Sequence, residues 1–246
     1  MKKTEEGLIR PKKNRRDPPA APDAVMVMVR SQLDRITSMI SARKIAFSEA
    51  HLYNFYDASS SNGGHISICG PFFGAPHAVI GIEKLIALGA ERIWVLGWCG
   101  SLDPRLSIGD MIIPSKAFPE EGISRLYTNG IIEPASDGFL FSRLEAALEK
   151  KQMTAAKGPI WTTDALYRET PSKIRAYRTL GALAVEMELS ALMSVAIYRS
   201  VALAALLVVS DELSPAGWRP GFSDPRLTEA SEAAGSVIIE LAAVAQ

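Results

Sequence analysis

A run of seven apolar residues, Leu203–Val209, is the feature that most restricts how this chain folds. Its length and its Val and Leu content are typical of a parallel strand that helices cover on both faces. The run ends at Ser210, Asp211 and Glu212. Because ligands bind beyond the carboxyl ends of strands in open α/β sheets, we expect Asp211 to lie at a functional site.

A second signal is a strand, helix, strand pattern earlier in the chain. Residues 66–69 and 93–96 are short apolar stretches, and the segment between them carries apolar residues close to helical spacing. Pro76 suits the first turn of this helix, where an N–H would be unpaired, and Gly89 suits the left-handed position that ends a helix. The pattern predicts a βαβ unit.

The rest of the chain continues this alternation. It predicts a strand ending near Glu186, a helix over Glu188–Arg199 and a last helix from about Pro225 to Val244. Such alternation favours an α/β fold, a three-layer α/β/α sandwich with a mixed, mostly parallel central sheet. The chain has 246 residues and is 48% hydrophobic, which fits a single domain over residues 23–246.

Residues 1–22 differ from this domain in composition. They hold seven Lys or Arg and four Pro, without the apolar stretch of a secretory signal. We therefore expect a basic, Pro-rich N-terminal arm outside the core. It is either a solvated, extended leader or an arm that packs on a neighbouring subunit.

Composition also argues against several kinds of partner. The chain has 27 basic and 27 acidic residues, which gives no electrostatic basis for nucleic acid or an anionic membrane as the main partner. The longest apolar runs, about ten residues, are too short to span a bilayer. Cys69 and Cys99 lie singly in apolar segments, which fits a reducing cytoplasm, and the three His residues lack metal-ligand spacing, so we expect no metal site.

Two short motifs each allow two interpretations. Glu186 and Glu188 flank Met187, so in an extended segment both carboxylates would point one way and hold adjacent hydroxyls of a sugar. Alternatively, Glu188 simply lies in the first turn of the next helix, where the helix dipole favours it. Gly97 and Gly100, after the second strand of the βαβ unit, form either a tight turn or an anion cradle.

Taken together and in this order, the motifs resemble the nucleoside phosphorylase family, which includes uridine phosphorylase, bacterial purine nucleoside phosphorylase and the methylthioadenosine nucleosidases. The segment "GAERIWVLGWCGSLDPRLSIGDMIIP" is close to the family's central strand, turn and "GD" strand. "AVEMELSAL" resembles its ribose-binding "EMExxA" segment, and "VVSDE" resembles its purine-type "SD". The similarity covers residues 24–245.

The resemblance implies a nucleoside phosphorylase fold and a role for each motif. Glu188 would bind the ribose, with Met187 against the pentose ring and Glu186 in support. Asp211 would be the general acid toward a purine N7, oriented by Ser210. This role fits the chemistry, because breaking the bond from C1′ to the base leaves electron density on the base, which a proton or hydrogen bond stabilises.

The resemblance also implies a base pocket, formed by Trp98, Cys99, Gly100, Leu166 and Tyr167. The glutamine and arginine with which uridine phosphorylases recognise uracil would fall near Thr170 and Ser172, and neither is present. We therefore expect a purine or an unusual base.

The family's phosphate ligands are only partly matched. In "RSQLDR", Arg35 matches the arginine of the family's "GDPxR" turn, Ser31 replaces its glycine and Gln32 its aspartate. Val95 and Glu49 occupy the regions of two further family arginines. We expect phosphate to bind at Arg35, Ser31 and the backbone of Gly74, with Arg30 as a partial substitute, and binding is weakened because charged bidentate donors are lost.

Three functions remain open at this point. The first is a nucleoside phosphorylase, a pentosyltransferase that uses phosphate as co-substrate and no other cofactor. The second is a nucleosidase that uses water, although the glutamate of the nucleosidases' "GAMxEE" motif has no match here. The third is a nucleoside-binding protein with little or no catalysis. The resemblance further implies a homo-oligomer, a dimer or a hexamer.

Overall fold

The computed structural model describes residues 7–59 and 64–243. The strands are β1 Asp23–Val27, β2 Arg43–Ile45, β3 Asn54–Ser59, β4 His65–Gly70, β5 Arg92–Ser101, β6 Met111–Pro119, β7 Ala155–Thr162, β8 Ala184–Glu186, β9 Ala202–Ser214 and β10 Gly217–Pro220. The helices are α1 Arg30–Met39, α2 Ala75–Leu88, α3 Ser124–Thr128, α4 Gly138–Lys150, α5 Pro171–Thr179, α6 Leu189–Arg199 and α7 Pro225–Ala242, with a 3₁₀ turn at Leu166–Arg168. The expected end of the last helix, Val244, lies outside the described residues.

The strands form one mixed sheet in the order β10-β9-β6-β7-β8-β5-β1-β4-β3-β2. β9 also pairs with β5, so five of the strands close on one another. The βαβ unit is confirmed: β4 and β5 lie parallel on either side of β1, and α2 connects them. The α/β class and the mixed sheet are confirmed as well.

Helices cover both faces of this sheet, which is why its central strands are apolar throughout. Along β9, Leu203, Ala205 and Leu207 pack into one core with α2 and α6, whereas Ala204 and Leu206 pack into a second core with α1, α4 and α7. Alternate side chains of a strand point to opposite faces, so an unbroken apolar run is needed to fill both cores. The three layers follow from this.

Two strands are longer than expected, and this corrects the interpretation of the glycine motif. β5 continues through Ser101, so Gly97 and Gly100 lie within a strand and do not form a tight turn. β9 likewise continues to Ser214, so Asp211 lies inside the strand and not beyond its end. The β5–β9 register shifts between Cys99 and Gly100, which leaves Ser210 as the extra residue of a β-bulge.

The N-terminal arm is anchored to the domain near its end. Asp17 is buried, and its carboxylate accepts a hydrogen bond of 2.7 Å from the Lys84 ammonium of α2. Lys84 also donates to Ser48 Oγ at 2.9 Å and to the Lys12 carbonyl at 2.8 Å. The domain boundary at residue 22 stays a prediction.

Two features of the described part of the chain concern membrane spans and metal sites. No helix there is both long and apolar enough to cross a membrane. No group of three or more His, Cys, Asp or Glu side chains in residues 7–59 and 64–243 is arranged to hold a metal ion.

Candidate active site

A cavity of about 650 Å³ lies beside the C-terminal parts of β5, β8 and β9, next to the first turns of α1 and α2. Its lining includes eight of the residues expected from the sequence: Trp98, Cys99, Gly100, Leu166, Glu186, Met187, Glu188 and Asp211. The volume suits a small organic ligand, and most ligand sites have such a mainly apolar wall with a few polar groups. The cavity therefore joins the sugar and base motifs in one site.

The β-bulge aims Asp211 at the cavity. Ser210 Oγ donates a hydrogen bond of 2.6 Å to Asp211 Oδ1, as expected, and the indole Nε1 of Trp218 donates one of 2.8 Å to Oδ2. Gly100 permits this arrangement, because a Cβ there would lie 3.0 Å from Asp211 Oδ2 and 2.2 Å from Leu213 Cδ1. Two donors and one glycine thus fix the orientation of the Asp211 carboxyl group.

Trp218 was not identified from the sequence. It belongs to β10, which pairs antiparallel with β9, and Pro220 lies opposite Asp211 in that register. A tryptophan shortly after the "SD" motif was the available signal, since a short hairpin returns the chain to the same place. Phe222, another missed residue, lines the cavity and stacks on Trp98 with ring centroids 6.2 Å apart.

The two buried glutamates differ in what they contact. Glu186 Oε2 accepts hydrogen bonds of 2.7 Å from the backbone N–H groups of Glu188 and Leu189, and its Oε1 accepts one from the Thr162 hydroxyl. Glu186 therefore fixes the start of α6. Glu188, at the N-cap position of α6, accepts a 2.6 Å hydrogen bond from the Gly74 N–H through Oε1.

Burial raises the pKa of both carboxyl groups above the ordinary glutamate value, and the charge of Glu186 raises that of Glu188 further. The cost of a charge in this environment is offset when ligand hydroxyls donate to it. Glu188 thus presents a buried carboxyl group to the cavity, and Glu186 positions it by accepting from its backbone N–H.

The expected phosphate ligands Ser31, Arg35 and Gly74 do not line this cavity, which corrects that part of the sequence interpretation. Ser31 and Arg35 line a separate surface depression, where Arg35 forms an ion pair with Glu232 of α7. Gly74 contributes its N–H to Glu188 and does not line the cavity. Within the described residues, Arg30 is the arginine that lines the cavity, and its exposed side chain lies 3.8 Å from Asp34.

Two further differences concern the residues expected to contact the base. Tyr167, expected against the base, is 96% exposed and does not line the cavity, because it points outward from the 3₁₀ turn. Glu169, which the sequence did not single out, does line it. His77 also lines the cavity, but its Nδ1 accepts from the Phe73 N–H at 3.3 Å and its Nε2 lies 3.2 Å from the Leu52 carbonyl.

Comparison with known proteins gives a consistent result. The family model described as the phosphorylase superfamily matches residues 25–243. Guanosine phosphorylase of Halorubrum lacusprofundi is 27% identical over 198 residues, which cover 80% of this chain and 81% of that protein. A DeoD-type purine nucleoside phosphorylase of Caldanaerobacter subterraneus subsp. tengcongensis is 31% identical over 153 residues, covering 61% of this chain and 66% of the relative.

Solved structures share the fold. Uridine phosphorylase from Vibrio fischeri superposes with a TM-score of 0.79 at 20% identity and covers 90% of each chain. Purine nucleoside phosphorylase from Toxoplasma gondii, in complex with immucillin-H, gives a TM-score of 0.79 at 23% identity, covering 98% of this chain and 96% of that one.

Proposed function

The chain belongs to the phosphorylase superfamily, and from this premise we propose that it is a pentosyltransferase that cleaves purine nucleosides with phosphate, yielding the base and a pentose 1-phosphate. The observation that carries the proposal is that Asp211 and Glu188 line the same cavity. One carboxyl group faces each end of a nucleoside, as bond cleavage at C1′ requires.

The mechanism divides between these two groups. Glu188 Oε2 accepts hydrogen bonds from the pentose hydroxyls and so fixes the sugar, while Met187 packs against the ring. Asp211 donates a proton or hydrogen bond to N7 as the bond to C1′ breaks, which stabilises the negative charge that develops on the base. Trp98, Leu166 and Phe222 provide apolar surface for the heterocycle.

Phosphate is the proposed co-substrate, and Arg30 is the residue best placed to bind it. Arg30 lines the cavity at the start of α1, where backbone N–H groups also favour an anion. Because no lysine and no second arginine in the described part of the chain lines the cavity, water is the alternative nucleophile. This second candidate function is a nucleosidase of the same fold.

One experiment separates the two. A panel of purine and pyrimidine nucleosides is incubated with the enzyme with and without phosphate, and base release is followed by chromatography. We expect release of purine bases that depends on phosphate and is matched by pentose 1-phosphate. Release of free pentose at the same rate without phosphate would instead establish hydrolysis.

A homo-oligomer is also part of the proposal. Phe73 and Leu52 line the cavity yet are 74% and 41% exposed, and Ile80 on α2 is 46% exposed. Exposed apolar side chains beside a site are typical of a subunit contact. Sedimentation analysis tests it, and a monomer at micromolar concentration would contradict it.

A further inference from the structure

Glu169 is a carboxyl group of the cavity to which neither the motifs nor the mechanism above assigns a role. It follows the 3₁₀ turn Leu166–Arg168, is half-buried and lines the cavity together with Asp211. Its backbone N–H donates to the Leu166 carbonyl, whereas its carboxyl group makes no hydrogen bond or ion pair with the described residues. A half-buried acid without a protein partner has its hydrogen-bonding capacity free for a ligand.

The charges around Glu169 favour its neutral form. The groups facing it are Asp211, Glu120 and Lys173, and the lysine is already engaged with Glu120 at 2.5 Å. Burial, followed by the charges of Asp211 and Glu120, raises the pKa of Glu169 to about 7. Asp211, in contrast, accepts a hydrogen bond at each oxygen. Protein donors therefore occupy both oxygens of Asp211, whereas the Glu169 carboxyl group remains available to a ligand.

Resting on the proposed function, we propose that Glu169 determines base specificity: its neutral carboxyl group donates a hydrogen bond to the exocyclic oxygen of a 6-oxopurine whose N7 faces Asp211. N7 and the substituent at C6 lie on the same edge of a purine, so two neighbouring acids contact adjacent atoms. A 6-oxo group accepts the Glu169 proton. A 6-amino group presents hydrogens there, which the carbonyl oxygen of the neutral acid accepts and the ionised carboxylate accepts more strongly. Ionisation of Glu169 therefore shifts the preference toward the 6-amino base.

The test compares inosine with adenosine in the wild type and in Glu169→Gln and Glu169→Ala variants. The ratio of their kcat/KM values is measured from pH 5.5 to 9 at saturating phosphate. Ionisation of phosphate changes the kcat/KM values of both substrates in the same way, so their ratio reports on recognition of the base alone. Arg168→Gln, a change at the exposed neighbouring residue, is the matched control and leaves the ratio unaltered.

In the wild type the ratio of inosine to adenosine falls about tenfold as the pH rises through 7, since ionised Glu169 repels the oxygen instead of donating to it. In Glu169→Gln the amide donates at every pH, so the ratio becomes flat. In Glu169→Ala no titrating carboxyl group faces the substituent at C6, so the ratio is flat as well. A ratio unchanged by the alanine variant, or an identical pH dependence in wild type and Glu169→Gln, would overturn the proposal.

Binding provides a readout independent of turnover. Titration calorimetry with hypoxanthine and adenine, without phosphate, should show that the affinity for hypoxanthine relative to adenine falls between pH 6 and pH 8 in the wild type and stays constant in Glu169→Ala. If no nucleoside is cleaved but this fall is found, the proposed reaction fails and the role of Glu169 stands. A relative affinity that is the same at both pH values in the wild type would refute that role whatever the reaction.

Discussion

The Trp218 indole donates a hydrogen bond of 2.8 Å to Asp211 Oδ2 across the β9–β10 hairpin. With Ser210 on the other oxygen, this contact holds the Asp211 carboxyl group in one orientation. The orientation of the proposed acid thus depends on Trp218, seven positions later in the chain. Substitutions of Asp211 and of Trp218 both test this dependence.

Asp211→Asn should lower kcat for purine nucleosides by about 10²–10⁴-fold, the usual contribution of a positioned acid, with little change in thermal stability. The amide keeps the shape of the side chain but removes the transferable proton. Steady-state assays and thermal unfolding of the same preparation measure both quantities. Unchanged kcat would remove Asp211 from the mechanism.

Trp218→Phe should lower kcat/KM by about three- to tenfold, because one hydrogen bond to Asp211 is lost while the ring remains near Phe222. If Trp218 acts through Asp211, the double variant with Asp211→Asn is no slower than Asp211→Asn alone. Additive losses would show that Trp218 contributes independently.

Glu188→Gln should weaken ribose recognition and raise KM more for a ribonucleoside than for a 2′,3′-dideoxynucleoside, which has no hydroxyl groups to lose. Wild-type enzyme should in turn prefer the ribonucleoside. Competition assays with both substrates measure these preferences. Equal processing of the two by wild type would contradict the sugar role.

The same variant should be more stable than wild type at pH 8. The folded protein holds the Glu188 proton more tightly than the unfolded chain does, so stability is highest at acid pH and decreases as the pH rises above the ordinary glutamate value. Glutamine removes this loss. At pH 8 we expect the Tm of the variant to exceed that of wild type by about 2–4 °C, the change that about 1 kcal/mol produces in a chain of this size. At pH 5 this difference in Tm should be smaller.

Gly100→Ala should reduce kcat about tenfold, because the added methyl group would displace Leu213 and crowd the Asp211 carboxyl group. Gly138→Ala is the matched control: the Cβ added there meets nothing within 4 Å. Only the first change should alter catalysis, and an equally active Gly100→Ala enzyme would show that the close approach is not required.

Asp17→Asn should destabilise the protein by about 2 kcal/mol, since it removes one of the two carboxylates, Asp17 and Glu49, that pair with the buried Lys84 ammonium. Arg15→Gln, in the exposed part of the arm, should change stability by no more than about 0.5 kcal/mol. Urea unfolding measures both. A neutral effect of Asp17→Asn would mean that the arm adds little to the fold.

The sequence predicted those features that depend on local pattern. The apolar run Leu203–Val209 indicated a strand buried on both faces, and the "EMExxA"-like and "SD" motifs identified Glu188 and Asp211, which the fold brings into one cavity. Periodicity carries this information because a strand or helix distributes its side chains in a fixed way.

Only the tertiary structure decided which side chains point into the cavity. Arg35 follows Arg30 by five residues and so lies about 140° around helix α1, which turns it toward α7 while Arg30 faces the site. Trp218 reaches Asp211 through a hairpin, and Glu169 reaches the cavity through a 3₁₀ turn. The directions of the hairpin and the turn depend on the strands against which they pack. A linear pattern fixes the spacing of residues along one element, but the contacts between elements arise when the sheet and its helices pack together.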